Sequence, residues 1–335
     1  MLHTETIEES MTKDAKLLMR DTTVWDTDGF GGKLLSMLKT VLGSSQMQIR
    51  QSVKSCKTIL AVVVLYALGG AMLGSRAKAA LRMAAVCTLC LCVTDDVGAL
   101  IRLGTDTAED LNVFSKALLP VMAGAAAGSG ATGSSAALYA ASAAFFSLLV
   151  SVLRSFLIPA VKCFLALSAA DAALDGRTFA GMKQFAAGLV KHSLRVITLV
   201  FSAYLSLTGI ISGSADALGV KAAKMAVSSV VPVVGSMISD AAETVLVSAK
   251  YLLRSVGVYG MLGTVAVLLV PFLRLWIRYL IMNITFYLAS VFDCEGLSGF
   301  LKDVSTAIGF VIGIVSCCAL LLFLSCVCFM RVSVT

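Results

Sequence analysis

Residues 136–153 read AALYAASAAFFSLLVSVL, 18 consecutive positions without a charged side chain. A run of that length and character is long enough to cross the hydrocarbon core of a bilayer as a helix. Four further stretches are candidates of the same kind: 59–74, 83–101, 156–174 and 194–211. The second of them is interrupted by Asp95 and Asp96. Unbroken apolar runs of this sort exclude an outer-membrane barrel, whose strands alternate apolar and polar positions. The sequence therefore predicts an all-α, polytopic membrane protein with the lipid bilayer as its solvent.

Composition agrees. Hydrophobic residues make up 58% of the 335 and charged residues 14%, against roughly 25% charged in ordinary soluble domains. Mean hydropathy is +0.92. The net charge of +7 is spread along the chain rather than gathered in a basic block with interleaved aromatics, so it reads as topology-setting charge and not as a nucleic-acid surface.

Ten cysteines raise the question of a metal. Cys87, Cys90 and Cys92, and then Cys317, Cys318, Cys326 and Cys328, lie inside apolar helical runs, and the two histidines, His3 and His192, are remote from both groups. Cysteine serves there as a small hydrophobe, and neither a metal site nor a cofactor is expected. Metalloprotease, nucleophile-elbow and phosphate-loop motifs are missing as well; the glycine-rich 124–133 segment lacks the Lys-Ser/Thr that a phosphate loop needs. No catalytic residue is assigned, and the chain is not expected to be an enzyme.

The organisation expected along the chain is a polar, amphipathic region over 1–55, a two-helix transmembrane preface over 56–104, and two membrane units over 105–213 and 217–331. No signal peptide is read at Met1, because the first apolar run begins near Ile59. The basic 76–82 loop belongs on the cytoplasmic side and the acidic 95–110 loop on the other. An amphipathic stretch, 178–191, suits the membrane surface. Residues 118–137 are mostly small, which suits close helix contact or a broken, re-entrant hairpin. Pro120, Gly128 and Gly130 mark that segment.

The two units rest on an internal repeat. Pro120 and Pro232 are related by an offset of 112, as are Pro159 and Pro271. Their contexts match, and Lys162 falls on Arg274. Further on the offset becomes 118. Such duplications are common in transport proteins. From Asp175 to Arg195 the net charge is +3 (one acid, four bases), and from Asp293 to Asp303 it is −2 (three acids, one base). Opposite signs favour opposite faces for these two turns, whereas spanning small-residue segments would make the units parallel. Both arrangements stay open.

The densest polar cluster in an apolar setting runs from Asp216 to Glu243. Lys221 and Lys224 share one helical face, Pro232 and Gly235 break the chain, and Asp240 and Glu243 share a second face. Unpaired charges at mid-membrane cost about 2.5 kcal/mol or more each, so the expectation is that the two faces pair across a hairpin. A solvated interfacial helix pair is the alternative. Lys162, Arg274, Arg278 and Asn283 read as snorkelling or structural groups, and Asp171 as a helix end.

Residues 214–245 also carry a resemblance. Ser214-Ala215-Asp216, Lys221-x-x-Lys224, Val231-Pro232-Val233-Val234-Gly235, Ser239-Asp240-Ala241 and Glu243-Thr244-Val245, together with Leu118-Leu119-Pro120-Val121, resemble the stage III sporulation protein AE family of endospore-forming bacteria. The likeness extends over most of 35–331. It implies a multi-pass protein of the mother-cell membrane around the engulfed forespore. There it would act as a structural or pore-forming subunit of a secretion-like channel complex, alongside other stage III sporulation membrane proteins and possible further copies of itself. Members carry an N-terminal signal sequence, which is not read here. The family supplies no catalytic residues. A second class of function, a self-contained secondary transporter built from two repeats, fits the same features.

Overall fold

The computed structural model describes residues 4–20, 22, 30–44, 46–72, 75–174, 179–204, 235–292 and 295–332. Every regular element among them is helical: α1 (Thr4–Glu9), α2 (Lys13–Met19), α3 (Phe30–Ser44), α4 (Gln46–Met72), α5 (Ser75–Gly128), α6 (Thr132–Val152), α7 (Ile158–Ala173), α8 (Ala180–Tyr204), α9 (Gly235–Ser290) and α10 (Glu295–Val332). Five helical runs are long and apolar enough to cross a membrane.

The helices are longer than the sequence segmentation predicts. α5 has 54 residues and α9 has 56, about 80 Å each at 1.5 Å per residue. The 83–101 stretch, its acidic continuation and the segment leading to Pro120 are one helix. The expected boundary at 104/105 falls inside it, and the charged turns are helix surface rather than loops. Likewise 178–191 is, over its described residues, largely the first half of α8 and not a separate surface helix.

Proline is accommodated in two ways. Pro120 and Pro271 sit inside α5 and α9, where each leaves one carbonyl without its helical partner. Before Pro159 the chain widens into a π-turn, Leu153–Leu157, that joins α6 to α7, a common way to absorb a proline's ring.

The break expected in the small-residue segment comes after Pro120, at Ser129–Ala131. Gly130 has φ 96°, and the Ser129 hydroxyl donates to the Ala126 carbonyl. The result is a tight turn between two long antiparallel helices rather than a re-entrant loop. A side chain at that φ costs about 1–2 kcal/mol. Gly130→Ala should therefore lower the thermal unfolding midpoint of the detergent-purified protein, while Gly181→Ala, whose added methyl meets nothing within 4 Å, should not.

α10 is the central helix. Val304, Ala307, Ile308, Val311, Ile314, Val315, Cys318 and Leu322 are each 1% exposed or less, and α5, α6, α7, α8 and α9 pack around them. Near Phe310 the neighbours fix a common height. The Phe164 ring of α7 lies 5.5 Å from the Phe310 ring and Lys191 Nζ of α8 lies 6.0 Å from it. Gly309 faces Tyr279 of α9, and Gly104 of α5 fits against Val311.

The end of α7 and the starts of α8 and α10 lie at one end of the bundle. Gly296 sits against the Ala172 carbonyl, and Lys183 of α8 bonds Asp303 of α10. α8 and α10 run parallel in a register of 119–120 residues, seen at Thr198–Cys317 and Lys183–Asp303. Opposite faces, the arrangement that the loop charges favoured, are not what forms. Lys183 and Asp303, one from each charged segment, instead attract at the same end of the bundle.

Candidate polar seam

Among the described residues, polar side chains join helix to helix at several points across the bundle. Lys183 Nζ bonds Asp171 Oδ2 at 3.0 Å and Asp303 Oδ2 at 2.7 Å, tying α7, α8 and α10. Asp171, with a side chain 3% exposed, also accepts from the Phe179 backbone N–H at 3.1 Å, so one carboxylate orders both the α7 end and the α8 start. Arg278 of α9 pairs with Asp96 of α5. Beside it, the Thr285 hydroxyl donates to Cys56 Sγ of α4 at 2.9 Å. Arg154 meets Glu109 at 3.0 Å, and Tyr259 donates to Glu8 at 3.4 Å.

A cleft of about 230 Å³ opens between α2, α5 and α9. Lys13, Asp14, Asp106, Asp110 and Arg274 supply its charge, and Val267, Val270 and Pro271 supply the apolar part of its α9 wall. Arg274 is 3.9 Å from Asp14. Among the described residues no group of metal-ligating side chains is assembled, and the described cysteines are all free.

The outer face of α5 carries charged and small residues together. Asp95, Ala99, Arg102, Asp106, Val113, Lys116, Pro120, Gly124 and Gly128 are all exposed at helical spacing. Only Val113 among them is a sizeable aliphatic group. Hydrocarbon gains little from such a stripe.

Of the site residues read from the sequence, Lys221, Lys224 and Pro232 lie outside the described residues. Gly235 starts α9, and Asp240 and Glu243 follow within its first turns; their side chains are outside the description. Pro120 and Gly128 are on the exposed α5 stripe, and Gly130 makes the turn. A methyl at Gly128 would touch only Ala249, at an ordinary 3.8 Å, so this glycine is not a close-packing point. The Lys183 node escaped sequence reasoning. Its partners are 12 and 120 residues away, and the opposed charges of the two turns were the available signal.

Long apolar helices in several passes, joined among the described residues by a small number of ion pairs, define a multi-pass α-helical membrane protein. The family model for stage III sporulation protein AE matches residues 26–333, nearly the whole chain, which therefore belongs to that family. No curated protein and no solved structure matches it.

Proposed function

We propose that the protein is a channel-complex subunit in the mother-cell membrane that faces the forespore, and that its pathway runs between chains rather than through one. The observation that carries this reading is the α5 stripe. A charged and small-residue face more than 30 residues long, on a protein in lipid, suits another protein surface or water. The middle of the described bundle, by contrast, is filled by α10. That disfavours a self-contained transporter with a pathway along the bundle axis. The reading takes the 105–213 and 217–331 units as duplicated. In support, Lys162 and Arg274, which the offset of 112 aligns, stand within about a turn of one height on α7 and α9.

Gly124 gives a clean test, because a Cβ there meets nothing within 4 Å and the single chain tolerates a large residue. Gly124→Trp should leave the fold intact, reduce the mass of the complex purified from sporulating cells, and cut spore yield at least tenfold. A complex of unchanged mass with normal spore yield would sink the proposal.

A further inference from the structure

We infer that residues 4–20 form a strap that can leave its seat on α5 and α9, and that the emptied seat takes the same strap from a second copy of the chain. The strap is the α1–α2 segment. Ile7, Met11, Ala15 and Met19 recur at every fourth residue and are each 5% exposed or less, whereas Glu8, Glu9, Lys13, Lys16 and Arg20 face outward. Apolar anchors one turn apart under a charged outer face are how a helical segment lies in an apolar groove. The seat is shaped for those anchors. Tyr259 and Val267 of α9 are buried beside it, and a Cβ added at Gly263, between them in sequence, would come within 2.9 Å of Met11 Cε. A side chain at 263 would fill the notch that Met11 occupies.

Little besides these anchors holds the strap. Helices of 6 and 7 residues are too short to persist alone in water, so the seat is what keeps them helical. The polar ties described above are long. Tyr259 donates to Glu8 at 3.4 Å, and Asp14 stands 3.9 Å from Arg274, with both side chains about half exposed. Two clefts border the strap: the one of about 230 Å³ already described, and one of about 520 Å³ lined by Glu8, Lys16, Arg20 and Tyr259 among others. A segment with few anchors and open edges belongs to the low-stability end of local opening. The family match begins at residue 26, so the matched part contains the seat and not the strap.

A second copy is the partner that fits. Each copy carries both seat and strap, so exchange keeps every anchor in place, which makes it a favourable route to association. Ten residues, 20–29, separate Met19 from Phe30, a length that spans at most about 35 Å. The strap also borders the α5 stripe, because Asp106 belongs to that stripe and lines one cleft together with Thr12, Lys13 and Asp14. A neighbour docked along the stripe stands within reach of the strap. The choice of partner therefore rests on the reading that copies meet along α5.

The test uses the full chain in detergent. Ile7→Asp combined with Met11→Asp should unseat the strap and leave the unfolding midpoint of the bundle close to the parent's. A fluorescent peptide of residues 4–20 should bind this variant at least about tenfold tighter than it binds the parent, whose tethered strap competes at high effective concentration. The same peptide carrying Met11→Asp and Met19→Asp should bind neither chain. A folded, unseated chain that takes the peptide no better than the parent does would overturn the exchange. Equal binding of the charged peptide would do the same, as would a collapsed midpoint in the double variant, which would make the strap a fixed part of the fold. Gly124→Trp should leave peptide binding unchanged, so failure of the α5 reading and failure of the strap are told apart.

Discussion

Replacing Gly104 with Leu should prevent the protein from accumulating, whereas Gly98→Leu on the same helix should be tolerated. Gly104 is buried where α5 meets α10, and a Cβ there would run into Val311 Cγ1. Val311 is 1% exposed and β-branched, so within a helix it has essentially one rotamer and cannot swing aside. A full leucine must push the two long helices apart over several turns. Overpacking of this kind costs about 3 kcal/mol, a large share of the roughly 5–15 kcal/mol that holds a typical fold. A Cβ at Gly98 meets nothing within 4 Å, and leucine gains about 1 kcal/mol of helix propensity over glycine. Membrane-fraction immunoblots and detergent unfolding of both variants check the pair. Equal accumulation would mean that α5 and α10 do not pack in this register.

Much of the fold was legible because the bilayer imposes a simple rule on composition. A run such as 136–153, with no charge in 18 residues, has no plausible aqueous fate, and the helical class followed directly. Where helices stop was harder to read. Asp95, Asp96, Asp106, Glu109 and Asp110 look like a loop when each apolar run is taken as one crossing. In the folded chain they are the surface of a helix that outlasts the bilayer, and Asp96 is held by Arg278 from 182 positions away in sequence. Within the small-residue segment Pro120 lies inside a continuous α5, and the break follows at Gly130, where a positive φ requires glycine.

The site was less legible than the fold. The cluster from Lys221 to Glu243 stood out because charge in an apolar context is locally visible, yet its described part is only the start of α9. The α5 stripe was invisible to a hydropathy window. Its residues are spread over more than 30 positions, and only the 3.6-residue period gathers them on one side. Gly124 and Gly128 are informative less as packing points than as the uncharged end of that stripe.

Lys183→Met should be the most damaging single change at any charged position in the described bundle, and removing both of its partners' charges should largely reverse it. The Lys183 ammonium is the only cation bonded to Asp171 and Asp303 among the described residues, and all three side chains are less than a quarter exposed. Without it the buried Asp171 carboxylate faces the half-buried Asp303 with no cation between them, and breaking a fully buried pair costs about 3–5 kcal/mol, the upper bound here. In the triple variant Asp171→Asn, Lys183→Met, Asp303→Asn no charge is stranded, and the side-chain amide that replaces the Asp171 carboxylate keeps an oxygen for the Phe179 N–H. Replacing a whole buried network is often nearly neutral, so the triple variant should unfold close to the parent in detergent micelles while Lys183→Met alone unfolds far below it. The pattern separates two explanations of the opposed charges of the 175–195 and 293–303 segments. If they merely set the side of the membrane on which each turn lies, Lys183→Met would leave the unfolding midpoint where it was. If they hold α8 parallel to α10, the midpoint falls and only joint neutralisation brings it back.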